Sequence, residues 1–107
     1  MNAFSALSDP TRREIIVLIA SANRLTATEI AANFDISAPA VSQHLKVLRE
    51  ANLVQVKKQA QKRVYSINQQ GMNEISSWIL DVKKLGNRRF SDLDKYLQNL
   101  SKSGKRK

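Results

Sequence analysis

With 107 residues, 18 Lys and Arg against nine Asp and Glu, and a net charge of +9, the chain has room for one modest core but not for an elaborate catalytic cavity. The charge points to a polyanionic partner: nucleic acid, an acidic membrane surface or an acidic protein. Cysteine is absent, which excludes disulfides, thiolate metal sites and thiol redox sensing. No apolar run approaches the roughly 18 residues of a membrane span, and Met1–Pro10 lacks a signal-peptide pattern, so no membrane partner and a cytoplasmic address are expected.

Phe4 to Leu7 reads as a short helical or irregular lead. Asp9-Pro10 is a helix start, with Asp9 expected to cap and Pro10 losing no hydrogen bond at the first position. The run Ile15–Ala20 is apolar on every side, which suggests cover on more than one face, a second subunit included. Thr26-Ala-Thr-Glu29 is a capping box that opens a short helix from Ala27 to Phe34. After a turn at Asp35-Ile36, Ser37 caps the next helix. Pro39 in its first turn means that the Ser37 hydroxyl must bond to the amide of Ala40.

That helix has two incompatible faces. Ala38, Val41, Leu45 and Leu48 form an apolar stripe, while Pro39, Gln43, Lys46 and Glu50 lie roughly opposite, with Ala40, Ser42, His44 and Val47 on the flanks. Alone, this describes any surface helix. Preceded by a second short helix and a tight turn, it is a helix-turn-helix in which Ser42 and Gln43 suit base edges and Lys46 suits phosphate. Then the period changes. Residues 53–58 and 62–67 alternate and are rich in β-branched and aromatic residues, so a hairpin with a loose tip at 59–61 is expected. Its Lys57, Lys58, Lys62 and Arg63, four cations with no anion, read as a phosphate-contacting wing.

From Met72 the chain is helical. Gly86-Asn87 reads as a stop, yet Ile75 and Leu93 are eighteen residues, five turns, apart, and the apolar residues between them stay within one face of about 120°. That phase favours one long helix, with or without a kink at Gly86, over two. Its stripe exceeds what a monomer of this size needs to cover. Dimerisation through Ile75, Trp78, Ile79, Val82, Leu93 and Leu97, with Ile15 and Ile19 of the first helix alongside, is the physical reading. A ligand pocket lined by Trp78 and Phe90 is the alternative. Residues 101–107 form a basic tail, expected to be disordered, after a domain spanning 1–100.

In this order and spacing, Ala6-Leu-Ser-Asp-Pro-Thr-Arg12, Glu29-Ile-Ala31, Val41-Ser-Gln-His-Leu-Lys-Val-Leu-Arg-Glu-Ala51 with Leu53-Val54, and Val64-Tyr65 resemble the ArsR/SmtB family of bacterial winged helix-turn-helix repressors. The resemblance covers Phe4 to Ile67. It implies a mainly α winged helix-turn-helix with a two-stranded β-hairpin wing and a long C-terminal dimerisation helix. It also implies a homodimer that binds double-stranded DNA at a palindromic operator and blocks transcription. The recognition positions carried over are Pro39, Ala40, Ser42, Gln43 and His44, with Lys46 near the backbone; the capping Ser37 is counted among the DNA-binding residues.

Two departures from the family matter. Its wing tip usually carries glycine where this chain has Ala60, so Ala60 either is strained or sits in a different turn. Its metal sensors use cysteine pairs or His/Asp clusters, and a chain with one histidine and no cysteine is expected to bind no metal. That histidine, His44, has no partner for nucleophilic catalysis. It packs at the helix edge or touches a phosphate, with a pH switch open on general grounds. Three glycines and no metal centre or triad leave neither an enzyme nor a cofactor to expect, and the residues name no small-molecule effector. The competing reading is a winged-helix protein-interaction module without specific DNA binding. Acidic or bulky apolar residues would then replace Ser42, Gln43 and Lys46.

Overall fold

The computed structural model describes residues 2–103, without the side chains of 90–92 and 100–103. Its elements run α1 (Ala3–Ala6), α2 (Pro10–Ala22), β1 (Arg24–Thr26), α3 (Ala27–Ala31), α4 (Ala38–Glu50), β2 (Val54–Gln59), β3 (Lys62–Ile67) and α5 (Gln69–Ser103). Two compact units divide the chain, Met1–Ile75 and Ser76–Lys107.

The core of the first unit is built from the apolar stripes of its helices and the inward faces of its strands. Ile15, Ile16 and Ile19 of α2, Ile30 of α3, and Val41, Leu45 and Leu48 of α4 are buried with Ala6, Leu53, Val54 and Tyr65. Ile15 and Ile19 are fully enclosed here, which corrects their expected place at a dimer interface: a side chain with no accessible surface in its own chain has none to offer a second. Val17 on the same helix is 66% exposed, so the all-round apolarity of Ile15–Ala20 does not mean burial all round.

The sheet is antiparallel and three-stranded, ordered β1-β3-β2, where a two-stranded hairpin was expected. The added strand is three residues long and pairs Leu25 with Tyr65. It closes the outer edge of β3 and delivers the chain into α3. The hairpin tip is tight rather than loose. Gln59 pairs with Lys62, leaving a two-residue turn in which Ala60 has φ 55° and carries the strain that glycine would avoid.

α4 ends in a Schellman motif. Asn52 takes the left-handed conformation at φ 61°, its amide donates to Arg49 O at 3.0 Å, and the Leu53 amide donates to Leu48 O at 3.0 Å. The buried Leu53 then returns a carbonyl to the Asn68 amide, also at 3.0 Å, just where α5 starts. Asn68 caps α5, its Oδ1 accepting from the amides of Gln70 and Gly71 at 3.1 and 3.4 Å.

The described residues of the second unit, 76–103, all belong to α5, which runs unbroken through Gly86 and on to Ser103, so the helical phase from Ile75 to Leu93 is real. The first residues of the expected disordered tail, 101–103, are thus helical, and 104–107 lie outside the described residues. Trp78, Ile79, Val82, Leu85, Leu93, Tyr96 and Leu97 are all exposed. Of the alternative ligand pocket, the Phe90 side chain lies outside the described residues. No helix among the described residues is long and apolar enough to cross a membrane.

Candidate nucleic-acid interface

The first helix of the helix-turn-helix begins at the expected capping box. The Glu29 amide donates to Thr26 Oγ1 at 3.1 Å and the Thr26 amide to Glu29 Oε1 at 2.9 Å. The bond from the Thr26 amide, then that from its hydroxyl, and the nearby Lys62 charge hold the Glu29 carboxyl below its ordinary range, against a small opposing effect of desolvation. α3 stops at Ala31, three residues short of expectation. The Asn33 and Phe34 amides there turn back to Ile30 O and Ala31 O, and Asn33 Nδ2 donates to Glu29 O at 2.9 Å. Ser37 then caps α4 as its spacing requires, its Oγ accepting from the Ala40 amide at 3.2 Å.

Burial of Val41, Leu45 and Leu48 fixes which side of α4 turns outward. Ser37, Pro39, Ser42, Gln43 and Lys46 are exposed, and Ala40 and His44 are half-buried. Ala38, placed in the apolar stripe from sequence, is also exposed, so the buried stripe begins at Val41. Arg49 is exposed and lies seven residues from Ser42 and three from Lys46, on the same ridge. The sequence-derived set omits it, although helical spacing alone places it there.

The wing brings its four cations together in an ordered way. Lys58 pairs across the strands with Arg63 on the face that carries Val56 and Tyr65 further in. Lys57 and Lys62 lie on the opposite face, opposite Val64 and Gln59 respectively. All four are exposed. The tip is thus cationic on both faces. Like charges directly opposite each other destabilise a hairpin, so the Lys58–Arg63 pair is a cost that an external anion would relieve. Lys62 also faces Glu29 closely enough to influence its carboxyl.

Asp9 departs from expectation. It makes no side-chain cap to α2. Its Oδ2 instead lies 3.5 Å from Arg12 Nη1 and 3.4 Å from His44 Nδ1. His44, expected among the recognition positions, therefore turns one ring edge back into the chain. The three-residue spacing of Asp9 and Arg12 allows their pairing, but nothing in the sequence signals the link to His44, 32 residues from Arg12.

Comparison with known proteins agrees with this geometry. Residues 9–56 match the family described as bacterial regulatory protein, arsR family. The transcriptional repressor SdpR of Bacillus subtilis is 36% identical over 85 residues, covering 79% of this chain and 93% of the relative. The HTH-type transcriptional regulator Rv2034 of Mycobacterium tuberculosis is 43% identical over 70 residues, 65% of this chain and 64% of that protein. Among solved structures, an ArsR-like transcriptional regulator from Rhodococcus sp. RHA1 superposes with a TM-score of 0.75 at 25% identity, covering 87% of each chain.

Proposed function

The chain belongs to the arsR family of bacterial regulatory proteins, and on that premise we propose that it is a homodimeric repressor of a palindromic operator. One observation carries the reading. The outward face of α4 holds Ser42, Gln43, Lys46 and Arg49 in the open, on a helix that buries Val41, Leu45 and Leu48 opposite them, in the same unit as a wing with four exposed cations.

In this reading α4 enters the major groove, and Ser42 and Gln43 hydrogen-bond base edges there. Pro39 and Ala40, at the leading end, offer apolar contact of the kind thymine methyls accept. Lys46 and Arg49, together with Lys57, Lys58, Lys62 and Arg63 of the wing, neutralise phosphates, and the Ser37 hydroxyl, whose oxygen already accepts from the Ala40 amide, donates a hydrogen bond to one. The exposed stripe on α5, with Trp78, Ile79, Val82, Leu93 and Leu97 and with Ile75 at its start, pairs two copies. Two-fold pairing places the reading helices roughly one DNA turn apart, which is why the operator is palindromic. The protein acts in the bacterial cytoplasm, without catalysis.

Sequencing the genomic DNA that the purified protein retains tests this directly. Enrichment of one inverted repeat, bound by a dimer in sedimentation, is the expected result. Retention of no DNA in low salt sinks the reading and favours a protein-interaction module instead.

A further inference from the structure

His44 sits in the middle of α4, and its ring meets two charged groups from the start of α2. Nδ1 lies 3.3 Å from Arg12 Nη1 and 3.4 Å from Asp9 Oδ2. Arg12 is itself held from behind, with Nε donating to Ala6 O at 2.6 Å and Nη2 to Ser5 O at 3.4 Å. Asp9 Oδ2 is a buried atom whose neighbours stand close enough for ion pairing but donate no well-directed hydrogen bond to it. Among the described residues, this cluster is the one side-chain polar link between α4 and another element.

A helix held only by an apolar stripe has its buried side specified, but its rotation and axial position are weakly fixed, because hydrophobic contact is non-directional. Reading base edges needs placement to within about half an ångström. We propose that Asp9, Arg12 and His44 form a lock that sets the position of α4 on α2, and that His44 serves recognition through this lock rather than by touching DNA. The proposal rests on α4 being the DNA-reading helix.

The ring satisfies the lock in either charge state, by different bonds. Neutral and protonated on Nε2, it accepts from Arg12 at Nδ1. As imidazolium, it donates from Nδ1 to the orphan oxygen of Asp9, while Arg12 becomes a like-charged neighbour. Asp9 and Arg12 are the charged groups facing it. On its own helix the residues one turn away, Ala40, Val41, Val47 and Leu48, carry none, and α1, which has no charged side chain, contributes the carbonyls that anchor Arg12.

The test compares wild type with His44→Gln, Asp9→Asn and the double variant, each first checked for native circular dichroism. Two duplexes of equal length serve as probes: the genomic fragment retained most strongly, and a random sequence. A lock predicts that His44→Gln loses about tenfold on the genomic fragment, the scale of one mismatched base pair, and little on random DNA. The slope of affinity against salt stays unchanged, and the double variant loses no more than the worse single one. Because His44 is the only histidine, its ring nitrogens give one set of 15N signals, and Asp9→Asn shifts Nδ1. Equal loss on both duplexes with a slope shallower by about one identifies a phosphate contact and overturns the lock. Additive losses, or ring signals indifferent to Asp9→Asn, overturn it as well. If wild type binds neither duplex, the DNA reading fails instead, and the ring signals still decide the lock.

Discussion

Two glycines of α5 should respond to alanine with opposite signs. At Gly71 an added Cβ would stand 1.8 Å from the backbone oxygen of Asn52 and 2.8 Å from its carbonyl carbon. Ordinary contact begins at 3.4 Å, so the first turn of α5 and the Schellman turn must separate by about 1.6 Å. Both partners are backbone, and neither can swing aside. The Asn68-to-Leu53 bond and the two bonds that close α4 lie in the path of that movement, and Leu53 is fully buried beside them. Strain of about 1–3 kcal/mol with one weakened hydrogen bond of about 1 kcal/mol gives a loss of about 2–4 kcal/mol for Gly71→Ala. For a domain of this size that lowers Tm on the order of 10–20 °C. At Gly86 nothing lies within 4 Å of the same added atom. There alanine only removes backbone entropy from a helix interior, a gain of about 0.5–1 kcal/mol. Urea and thermal unfolding by circular dichroism, run at two protein concentrations so that dimer dissociation is separated from folding, measure both changes. A Gly71→Ala protein within about 0.5 kcal/mol of wild type would show that the close approach to Asn52 is absent, and shifts of the same sign would refute the contrast.

The remaining predictions concern the reading face, the wing and the capping box. Gln43→Ala should relax base preference with little effect on random DNA, and equal loss on both removes Gln43 as a reader. Lys62→Ala should weaken all DNA alike and reduce the salt slope by about one; an unchanged slope in filter-binding titrations means that Lys62 serves Glu29 rather than phosphate. Ala60→Gly should raise the urea midpoint slightly, by about 0.5–1 kcal/mol of stability, by releasing the positive φ, and a lower midpoint argues against strain at the tip. The Glu29 carboxyl is held below its ordinary value of 4.5, so its stabilising bonds are complete above that value and disappear as pH falls through the lowered one. Unfolding midpoints followed from neutral into acid should therefore fall less steeply in Glu29→Gln than in wild type, and parallel curves contradict the capping box.

Much of this architecture is written in local patterns. The capping box at Thr26 and Glu29, the cap from Ser37 to Ala40 and the stripe of Val41, Leu45 and Leu48 each follow from spacing within one turn or two. The five-turn phase from Ile75 to Leu93 predicts a continuous α5 despite Gly86. What escaped is non-local. β1 has a single apolar residue, Leu25, and exists because β3 has an edge to pair. Asp9-Pro10 looks like a cap in sequence, yet its carboxylate turns to Arg12, three residues on, and to His44, which only folding brings near. The sequence of Ile15 and Ile19 is equally compatible with a surface for a second chain, because apolarity does not say who covers it. Gly71 looks like a poor helix residue until Asn52 is seen against it. The recognition face lies between these cases: its outward direction follows from the stripe, whereas the contacts of its residues depend on DNA.

The anchors of α4 share a property that bears on regulation of binding. The apolar stripe holds one side, the Asp9–Arg12–His44 cluster meets its middle, and the Schellman turn closes its end against the start of α5. None of these uses the side chains of Ser42, Gln43, Lys46 or Arg49, which make no polar contact within the described residues; Arg49 lends the Schellman turn only its carbonyl. If α4 reads DNA as proposed, binding and folding draw on separate sets of side chains in one helix. A face without internal partners can change its base preference with little effect on stability. A change in the anchors, by contrast, moves every reading residue together. Because Asn68, Gly71 and the turn after α4 join the end of that helix to the first turn of α5, a partner or ligand that shifts that first turn acts on the anchors rather than on the face. It would lower affinity for all operators by displacing α4 as a body, leaving the ranking among them intact.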